Sequence, residues 1–532
     1  MSVNMGVSLK TLAECLELSL APPAGRGGLA NGETPEDVII TNISEDSRDI
    51  ESSWLFVAIK GEHLDGKDFI EDALAKGSKA VMLEGWSPKG DYFTLIAPEG
   101  SDLRLLATKA ARIIYGYPDE SLITLGITGT NGKSTTASLM ESVLKALNLT
   151  PGLIGTVDYH LGDKHFPAPN TTPEGPLLFR TIYEMKELGA KSLVMEVSSH
   201  GLAQDRVHGI LFDYALFTNL SRDHLDFHKD FEDYFQAKLL LFQRHLKNGG
   251  VRAAINQDDP YGEKILAILG ERALGYGFQK GELRGRILEE GREGLVLEIN
   301  HHGSKLNLRS KLLGSFNAEN LLSAFALSSL MVGNPEEGLP LKDLTCVIKA
   351  LEASTGAPGR LSRVSPEGRF LALVDYAHSP AALEKAINAS QKLVAPGGRL
   401  ILIFGCGGDR DRGKRPLMGK AASIADIPIL TSDNPRTEDP LQIMADAEPG
   451  LMDGGLKHGD IDQILSTSTQ GLYLMEPDRK KAIEMGVRIL NESDVLLICG
   501  KGHEDYQIIG RKKFPFDDSV VALKALKELG KA

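Results

Sequence analysis

LITLGITGTNGKSTTASLMESVLKAL, residues 122–147, is the stretch that decides the fold. An apolar run with the length of a buried strand (122–128) comes first, a loop with two glycines (129–134) follows, and the remainder has the apolar spacing of a helix. Glycines let a loop turn its backbone N–H groups toward a phosphate, and the N-terminus of the next helix favours negative charge. The stretch therefore predicts a strand, a phosphate loop and a helix that bind ATP.

The loop itself supplies a set of ATP ligands. Lys133 is expected to pair with the outer phosphates, and Ser134 is expected to ligate Mg²⁺. The general pattern G-x-x-x-x-G-K-[ST] is not met strictly, because Ile127 stands at its first glycine, so an ordinary turn between a strand and a helix is the alternative. The GKST string between a strand and a helix favours the phosphate loop. The predicted ATP ligands within it are Gly129, Thr130, Asn131, Gly132, Lys133, Ser134 and Thr135.

Composition narrows the class of protein. The chain has 532 residues, of which 42% are apolar and 25% charged, which is typical of a globular protein with about three domains. The net charge of −13 argues against a general nucleic-acid binder, although a local basic pocket for an anionic substrate remains compatible with it. The four cysteines are far apart and form no CxxC pair, so reduced thiols are expected rather than a zinc site or disulfides.

The N-terminal segment does not have the pattern of a signal peptide, because Lys10, Glu14 and Glu17 interrupt its apolar residues. No run of about 18 apolar residues occurs elsewhere, so no membrane insertion is predicted. We therefore expect a cytoplasmic protein. A monomer is a separate expectation, which these patterns do not test.

Apolar runs alternate with helical patterns in three α/β segments. Residues 1–119 predict a small α/β domain. Residues 120–355 predict a central doubly wound sheet that carries the phosphate loop, and residues 356–532 predict a second, Rossmann-like α/β domain. The Pro/Gly-rich stretch 20–36 is expected to be a mobile surface loop, and ASTGAPGR (353–360) is expected to be a hinge.

Polar residues follow several of the predicted strands, at the edge where open α/β sheets bind ligands. After SLVMEV (192–197) come Ser198, Ser199 and His200, and after YALFTNL (214–220) comes the stretch 221–226. Glu196 is expected to hold Mg²⁺, because carboxylate oxygens suit that cation, and His224 is expected to hold a second metal ion or a phosphoryl oxygen. A structural role is the alternative for each. Spacing alone predicts that Lys238 is a solvated lysine on an amphipathic helix.

Nine motifs occur in the order typical of the Mur ligase family. They are TGTNGKST (128–135), NTTP (170–173), EVSSHGL (196–202), TNLSRDHLDFH (218–228), FNAEN (316–320), DYAHSP (375–380), GCGGDRDRGKRP (405–416), DNPRTEDP (433–440) and GKGHEDYQ (500–507). Together they closely resemble the UDP-N-acetylmuramoyl-tripeptide synthetases of bacterial peptidoglycan synthesis. The likeness covers about residues 40–530 and is weakest at the N-terminus, where 20–36 resembles an insertion.

The resemblance implies three domains, which hold the UDP-linked substrate, ATP and the incoming amino acid. It also implies a reaction in which ATP phosphorylates the γ-carboxylate of D-Glu in UDP-MurNAc-L-Ala-D-Glu, and an amine then displaces the phosphate. Two Mg²⁺ ions and Lys133 are expected to neutralise charge in this phosphoryl transfer. In this family the lysine at the position of Lys238 is carbamylated by CO₂ and ligates the second Mg²⁺ with His224. The implied catalytic and metal-binding residues are therefore Lys133, Ser134, Glu196, His224 and Lys238.

The resemblance carries further binding residues onto this chain. Asn317, Arg360 and Asp375 would complete the ATP site, with Arg360 and Asp375 reaching in from the hinge and third domain. The residues implied for the UDP-linked dipeptide are Ser47, Glu62, His63, Leu64, Asn170, Thr171, Thr172, Ser198, Gln204 and Arg206. The residues implied for the amino acid are Arg410, Asp433, Asn434, Pro435, Arg436, Gly500 and Glu504.

Arg436 predicts which amino acid is added. The DNPR form resembles the family members that select meso-diaminopimelate, whereas lysine-adding relatives lack the arginine. meso-Diaminopimelate has a second carboxylate at its far end, which a guanidinium binds with two hydrogen bonds, while Glu504 is expected to meet the far ammonium. Lysine lacks that carboxylate and would place its ammonium near Arg436, so discrimination of about a thousand-fold is attainable.

Three alternatives stay open at the level of sequence. The first is a lysine-adding ligase of the same family. The second is a folylpolyglutamate synthetase, which shares the ATPase plan but gives no reason for DNPR together with GKGHEDY. The third is a catalytically dead scaffold that only binds nucleotide, and the presence of all the chemical residues argues against it.

Overall fold

The computed structural model describes residues 6–23, 34–61, 64–85, 90, 92–224, 227–332, 344–365, 369–466 and 471–532. The chain forms two compact units. The first contains Met1–Arg284 and Leu322–Ala350, and the second contains Gly285–Leu321 and Leu351–Ala532. Within the described ranges, no helix has the length and apolar character needed to cross a bilayer.

The N-terminal part of the first unit is a small α/β sheet. Four neighbouring strands are parallel in the order β7-β6-β5-β4, and β2 adds an antiparallel edge to β7. Its elements are β1 (Val7–Ser8), α1 (Leu9–Leu16), β2 (Ser19–Ala21), β3 (Ile39–Ile40), β4 (Asn42–Ser44), β5 (Trp54–Val57), α2 (Ile70–Ala75), β6 (Ala80–Glu84), β7 (Phe93–Ala97) and α3 (Leu103–Ile114), with 3-10 turns at Gly66–Phe69 and Pro118–Ser121.

The rest of the first unit is built on a parallel sheet that runs in the order β9-β12-β8-β13-β14-β15. The hairpin β10–β11 extends its β9 edge with antiparallel strands. The elements are β8 (Ile123–Thr128), α4 (Lys133–Ala146), β9 (Pro151–Ile154), β10 (Tyr159–Leu161), β11 (Lys164–Phe166), α5 (Gly175–Glu187), β12 (Ser192–Glu196), α6 (Ser199–Ala203), β13 (Tyr214–Phe217), α7 (Phe231–Arg244), β14 (Ala253–Asn256), α8 (Pro260–Leu269), a 3-10 turn (Gly270–Arg272) and β15 (Ala273–Gly277).

Three further strands and two helices follow in the chain, and the first of these strands pairs parallel with β15. They are β16 (Leu283–Gly291), β17 (Gly294–His301), β18 (Ser304–Ser310), α9 (Ser315–Met331) and α10 (Leu344–Ala353). Strands β17 and β18 pair antiparallel along their whole length. The unit boundaries fall inside β16, α9 and α10.

The second unit contains a sheet in the order β19-β20-β25-β21-β22-β24-β23, which is parallel from β20 to β23. Apolar residues from both of its faces are buried in separate clusters, as a doubly wound sheet requires. The elements are β19 (Ser362–Arg363), β20 (Leu371–Asp375), α11 (Pro380–Gln391), β21 (Leu400–Cys406), α12 (Lys414–Ala422), β22 (Ile427–Ser432), α13 (Pro440–Asp453), β23 (Lys457–His458), α14 (Ile461–Ser466), β24 (Leu472–Glu476), α15 (Arg479–Ile489), β25 (Val495–Cys499), β26 (Tyr506–Ile509), β27 (Lys512–Pro515) and α16 (Asp518–Glu528).

The predicted strands and the α/β class are confirmed. The continuous apolar runs became buried parallel strands, because helices cover both faces of their sheets. The predicted start of the loop 20–36 was wrong, because Leu20 and Ala21 belong to β2 and pair with β7. Residues 24–33 of that loop lie outside the described ranges. The domain boundaries after residues 119 and 355 stay predictions.

Candidate active site

The phosphate loop follows β8, the strand with neighbours β12 and β13 on its two sides. Gly129 and Gly132 have φ angles of 148° and 86°, which L side chains rarely adopt. A Cβ at Gly129 would also lie 1.9 Å from Thr218 Oγ1, so the loop requires glycine there. Lys133 begins α4, and its Nζ donates to the carbonyls of Gly129 (2.8 Å) and Thr130 (3.0 Å). The lysine therefore lies against the loop that it is expected to serve.

Lys238 contradicts the expectation of a solvated lysine. It is 1% exposed on α7, and its Nζ donates to the Gly129 carbonyl at 2.9 Å and lies 4.7 Å from the Tyr234 ring centre. Burial, with the nearby charge of Lys133, holds the pKa of Lys238 well below its usual value. The expectation was wrong because Lys238 lies on the apolar face of α7, beside Tyr234 and Leu241, whereas Glu232, Gln236 and Arg244 lie on the exposed face.

Glu196 is the last residue of β12 and is 1% exposed. Ser134 Oγ donates to its Oε2 at 3.0 Å, which brings together two of the predicted magnesium ligands. Thr156 fixes the same carboxylate, because its backbone N–H donates to Oε1 at 2.8 Å and its hydroxyl donates to Oε2 at 3.0 Å. The predicted hard-cation ligands thus converge at the carboxyl edge of the sheet, as oxygen ligands for Mg²⁺ would.

His224 lies in the segment after β13. It has a φ of 53°, its side chain is 44% exposed, and its ring centre is 5.0 Å from that of His200 and 6.0 Å from that of Tyr234. Tyr234 also holds Thr130 through a 3.0 Å contact between their hydroxyls. Within the described part of the chain, no three His, Cys, Asp or Glu side chains form a metal-binding group.

The residues predicted for the dipeptide form a connected cluster at the end of β12. Thr172 Oγ1 donates to the Glu196 carbonyl at 2.9 Å, and Arg206 donates to the Thr172 carbonyl at 2.8 Å. Other contacts extend the cluster: Thr171 Oγ1 with Thr156 Oγ1 (2.9 Å), Arg206 to Gln204 Oε1 (2.6 Å), the Ser198 N–H to the Thr172 hydroxyl (2.9 Å), and Tyr159 OH to the Asn170 carbonyl. An arginine at the centre of this cluster suits an anionic substrate.

Two of the residues predicted for the UDP-linked dipeptide, Ser47 and Leu64, are described in the N-terminal part of the first unit. Ser47 is 8% exposed, and its carbonyl accepts from Lys76 Nζ at 2.8 Å, whereas Leu64 is 66% exposed. Burial and the nearby carboxylate of Glu174 raise the pKa of Glu45, two residues before Ser47, to about 7, although the charge of Arg206 opposes this rise. Glu62 and His63 lie outside the described residues.

Asn317, Arg360 and Asp375 belong to the second unit. Asn317 is fully buried in α9, where its Nδ2 donates to the Leu313 carbonyl at 2.8 Å. Asp375 ends β20 and accepts from the N–H groups of Leu361 and Ala377, each at 2.8 Å, and burial raises its pKa. The Arg360 guanidinium lies 4.9 Å from the Tyr376 ring centre.

The DNPR loop, residues 433–436, begins at the carboxyl end of β22. Asp433 and Asn434 are each 6% exposed, and burial raises the pKa of Asp433 despite the charges of Arg479 and Lys501. Arg436 is partly exposed, has a φ of 51°, and donates from its guanidinium to the Gly408 carbonyl at 2.8 Å.

The remaining predicted amino-acid residues surround this loop. Gly500 (φ 116°) follows β25, and a Cβ there would lie 2.6 Å from Asp433 Oδ2. Glu504 Oε2 accepts from Asn434 Nδ2 at 2.9 Å. Arg410 is exposed, with its Cγ 3.7 Å from the place of a Cβ on Gly407. The structure thus brings Asp433, Asn434, Gly500 and Glu504 together, with Arg436 beside them and Arg410 at the surface.

Sequence reasoning missed three residues of these sites. Thr156 follows β9 at the same sheet edge as the phosphate loop, so the rule that located Glu196 would also have found it. Lys501 and Gln507 stand inside the motif GKGHEDYQ, but only their contacts with residues 433–434 indicate a role.

Comparison with known proteins gives consistent matches over the chain. Family profiles described as Mur ligase family, catalytic domain, Mur ligase middle domain, and Mur ligase, glutamate ligase domain match residues 39–90, 127–328 and 359–502.

A curated relative from Solibacter usitatus is 40% identical over 493 residues (92% of this chain, 94% of the relative). One from Aquifex aeolicus is 40% identical over 488 residues (92% and 94%), and one from Geobacter metallireducens is 39% identical over 491 residues (91% and 93%). All three are named UDP-N-acetylmuramoyl-L-alanyl-D-glutamate–2,6-diaminopimelate ligase.

Solved structures agree with these matches. One with the same ligase name is 30% identical, has a TM-score of 0.65, and covers 99% of this chain and 100% of its own. A MurF ligase from Thermotoga maritima in complex with ADP, 18% identical with a TM-score of 0.58 over 93% and 98%, shares the fold.

Proposed function

The chain belongs to the Mur ligase family, and we propose that it is the member that joins meso-2,6-diaminopimelate to the γ-carboxylate of D-Glu in UDP-MurNAc-L-Ala-D-Glu. It is an ATP-dependent ligase of peptidoglycan precursor synthesis with the three-domain α/β fold of that family. The relatives' names support the proposed substrates, and one observation of this chain supports the choice of amino acid.

That observation is the placement of Arg436. Its guanidinium is fixed to the Gly408 carbonyl at the end of a loop whose Asp433 and Asn434 are buried, and Glu504 lies on the other side of Asn434. Arg436 and Glu504 offer a cation for the far carboxylate and an anion for the far ammonium of meso-diaminopimelate. Lysine would offer only the ammonium, which leaves Arg436 without a partner.

The chemistry needs activation of a carboxylate, which is otherwise a poor electrophile. A γ-carboxylate oxygen of D-Glu attacks the γ-phosphorus of ATP, and ADP leaves. The amine nitrogen then attacks the carbonyl carbon of the acyl phosphate, phosphate leaves with the C–O bond electrons, and the nitrogen loses a proton. Lys133 and the loop N–H groups are expected to bind the transferring phosphoryl group, and Arg206 and Thr172 are expected to orient the dipeptide.

We propose that Ser134 and Glu196 hold one Mg²⁺ ion and that His224 and Lys238 hold a second. The 3.0 Å approach of the serine hydroxyl to the glutamate carboxylate fits the oxygen ligands that Mg²⁺ prefers. When bound, Mg²⁺ supplies positive charge to the phosphates.

Lys238 as a free ammonium would be a poor cation ligand, and we propose that it carries a CO₂-derived carbamate, which is anionic. Its complete burial next to Gly129 is an unusual environment for a lysine and favours the neutral amine that reacts with CO₂.

The carbamate is tested by ¹³C NMR of the protein in ¹³C-bicarbonate. We expect a carbamate resonance that is absent from Lys238→Met and present in Lys264→Met, which removes an exposed lysine. A wild-type spectrum that equals that of Lys238→Met would contradict the proposal.

The proposed function is tested by phosphate release with ATP and one candidate acceptor at a time. We expect phosphate release that requires both UDP-MurNAc-L-Ala-D-Glu and meso-diaminopimelate at the ionic strength of the cytoplasm. We also expect the protein to sediment as a monomer. Release with a folate and glutamate instead would favour the folylpolyglutamate alternative, and ATP binding without release would favour a scaffold.

A further inference from the structure

We propose that Lys501 and strand β26 form a fixed template for the DNPR loop, so that Lys501 is a positioning residue for amino-acid selection. This inference rests on the proposed function, in which that loop binds the amino acid. Lys501 is not among the site residues that were predicted from the sequence, yet its side chain is fully buried. A buried lysine is retained only where its charge has partners.

Hydrogen bonds join the DNPR loop to residues 501–510, which are about 70 positions away in the chain. Both backbone and side chains take part. The bonds are Asn434 Nδ2 to Glu504 Oε2 (2.9 Å), Lys501 Nζ to Asn434 Oδ1 (3.4 Å), Ile508 N to Asn434 Oδ1 (2.8 Å), Gln507 Nε2 to the Asp433 carbonyl (2.6 Å), Arg436 N to the Ile508 carbonyl (3.1 Å) and Gly510 N to the Arg436 carbonyl (2.7 Å). Every residue of the loop except Pro435 is therefore held by this segment.

Lys501 is the centre of this arrangement. Its Nζ donates to Glu504 Oε2 at 3.0 Å and to the Tyr506 carbonyl, in addition to Asn434. The same Glu504 oxygen accepts from Asn434, so one ammonium fixes both the carboxylate and the amide that face each other in the pocket. Without it, the carboxylate of Glu504 would lose its charge partner and its orientation.

Arg436 depends on the template through its backbone. A φ of 51° is unfavourable for a residue with a Cβ, and it persists only where neighbouring groups fix it. Both its N–H and its carbonyl pair with β26 and the following turn, at Ile508 and Gly510. The direction of the guanidinium toward Gly408 therefore follows from a hairpin outside the DNPR motif.

The test compares Lys501→Met with wild type and with Lys512→Met, a matched change at an exposed lysine of β27. We expect Lys501→Met to raise KM for meso-diaminopimelate about ten-fold or more and to lower the preference over L-lysine. KM for ATP and for the UDP-linked dipeptide should stay within about two-fold of wild type, as should every constant of Lys512→Met.

A double-mutant cycle with Glu504→Gln separates positioning from packing. If Lys501 acts through Glu504, its replacement should change KM for meso-diaminopimelate much less in the Glu504→Gln background than in the wild type. Equal rises in all three KM values, or additive effects in the cycle, would overturn the inference.

Gln507→Leu keeps the inference testable if Lys501→Met does not fold, because it removes a bond to the Asp433 carbonyl without unpairing a buried charge. We expect a rise of about three-fold in KM for meso-diaminopimelate alone. An unchanged KM would overturn the template while wild-type activity stands. Wild type that does not use meso-diaminopimelate would overturn the proposed function itself.

Discussion

The phosphate loop and the DNPR loop both follow a buried parallel strand, and both contact segments that are distant in the chain, but the lysine of each site is placed differently. Lys133 contacts carbonyls within its own loop, at Thr130 and Gly129, three and four positions away. The DNPR loop instead depends on a segment about 70 positions later, through Lys501, Gln507 and Ile508. In the proposed function, the first region carries the phosphoryl transfer and the second carries the choice of amino acid.

This difference in placement explains why the two proposed functions, ATP use and amino-acid selection, are encoded differently in the sequence. The residues expected to bind the phosphates stand in one contiguous motif, so ATP use can be inferred from a short stretch, although Asn219, Tyr234 and Lys238 also contact that loop. In the DNPR region, the residues expected to select the amino acid come from two segments, so a change at either segment alters the pocket. Substitutions in the two regions should therefore affect different kinetic constants.

Lys133→Ala should give the largest effect. It removes the cation expected at the transferring phosphate, and we expect kcat to fall about a thousand-fold or more for any amino acid. Steady-state phosphate release measures this, with Lys191→Ala, which removes an exposed lysine before β12, as the control. If Lys133→Ala keeps the wild-type kcat, the proposed role of the phosphate loop in phosphoryl transfer is contradicted.

Arg436→Ala should affect selection more than turnover. The preference for meso-diaminopimelate over L-lysine, expressed as the ratio of kcat/KM values, should fall about a hundred-fold or more, because the far carboxylate loses its cation. KM for ATP should stay close to wild type. A parallel loss for ATP, or an unchanged preference, would show that the two regions do not divide the functions in this way.

A third, smaller effect is expected on stability, at His160 in the segment that follows Thr156. His160 on β10 contacts Asp158 Oδ1 at 2.8 Å and Glu141 Oε1 on α4 at 3.0 Å, so it joins the β10–β11 hairpin to the helix of the phosphate loop. Burial lowers the pKa of His160, but the hydrogen bonds with Asp158 and Glu141 outweigh it and raise the pKa to about 9. The folded state therefore favours the charged imidazolium.

His160→Gln should lower the free energy of unfolding by about 1–2 kcal/mol at pH 6, after allowance for solvent screening. Because the folded pKa is raised above the ordinary value of 6.5, this stability is fully present below pH 6.5 and is lost as pH rises through about 9. Urea unfolding at pH 6 and pH 10 measures it. His165→Gln, at the more exposed histidine of the hairpin, should cost less. A difference that grows with pH would contradict the assignment of charge.

The sequence predicted the sheets and the position of the phosphate loop, because buried parallel strands are continuous apolar runs and ligands bind at their carboxyl ends. It did not predict the burial of Lys238 or the contact of Thr156 with Glu196, since both depend on which face of an element packs inward. The spacing of GKGHEDYQ likewise contains no sign that Lys501 contacts Asn434. Such contacts depend on the tertiary arrangement of distant segments, which local patterns do not encode.

The most direct test of the central claim is a competition between amino acids. The enzyme is given ATP, UDP-MurNAc-L-Ala-D-Glu and equal concentrations of meso-diaminopimelate and L-lysine, and the products are identified by mass spectrometry. We predict a UDP-linked tripeptide that carries diaminopimelate almost exclusively, in amounts equal to the phosphate released. A product that carries mainly lysine, or phosphate release without any tripeptide, would contradict it.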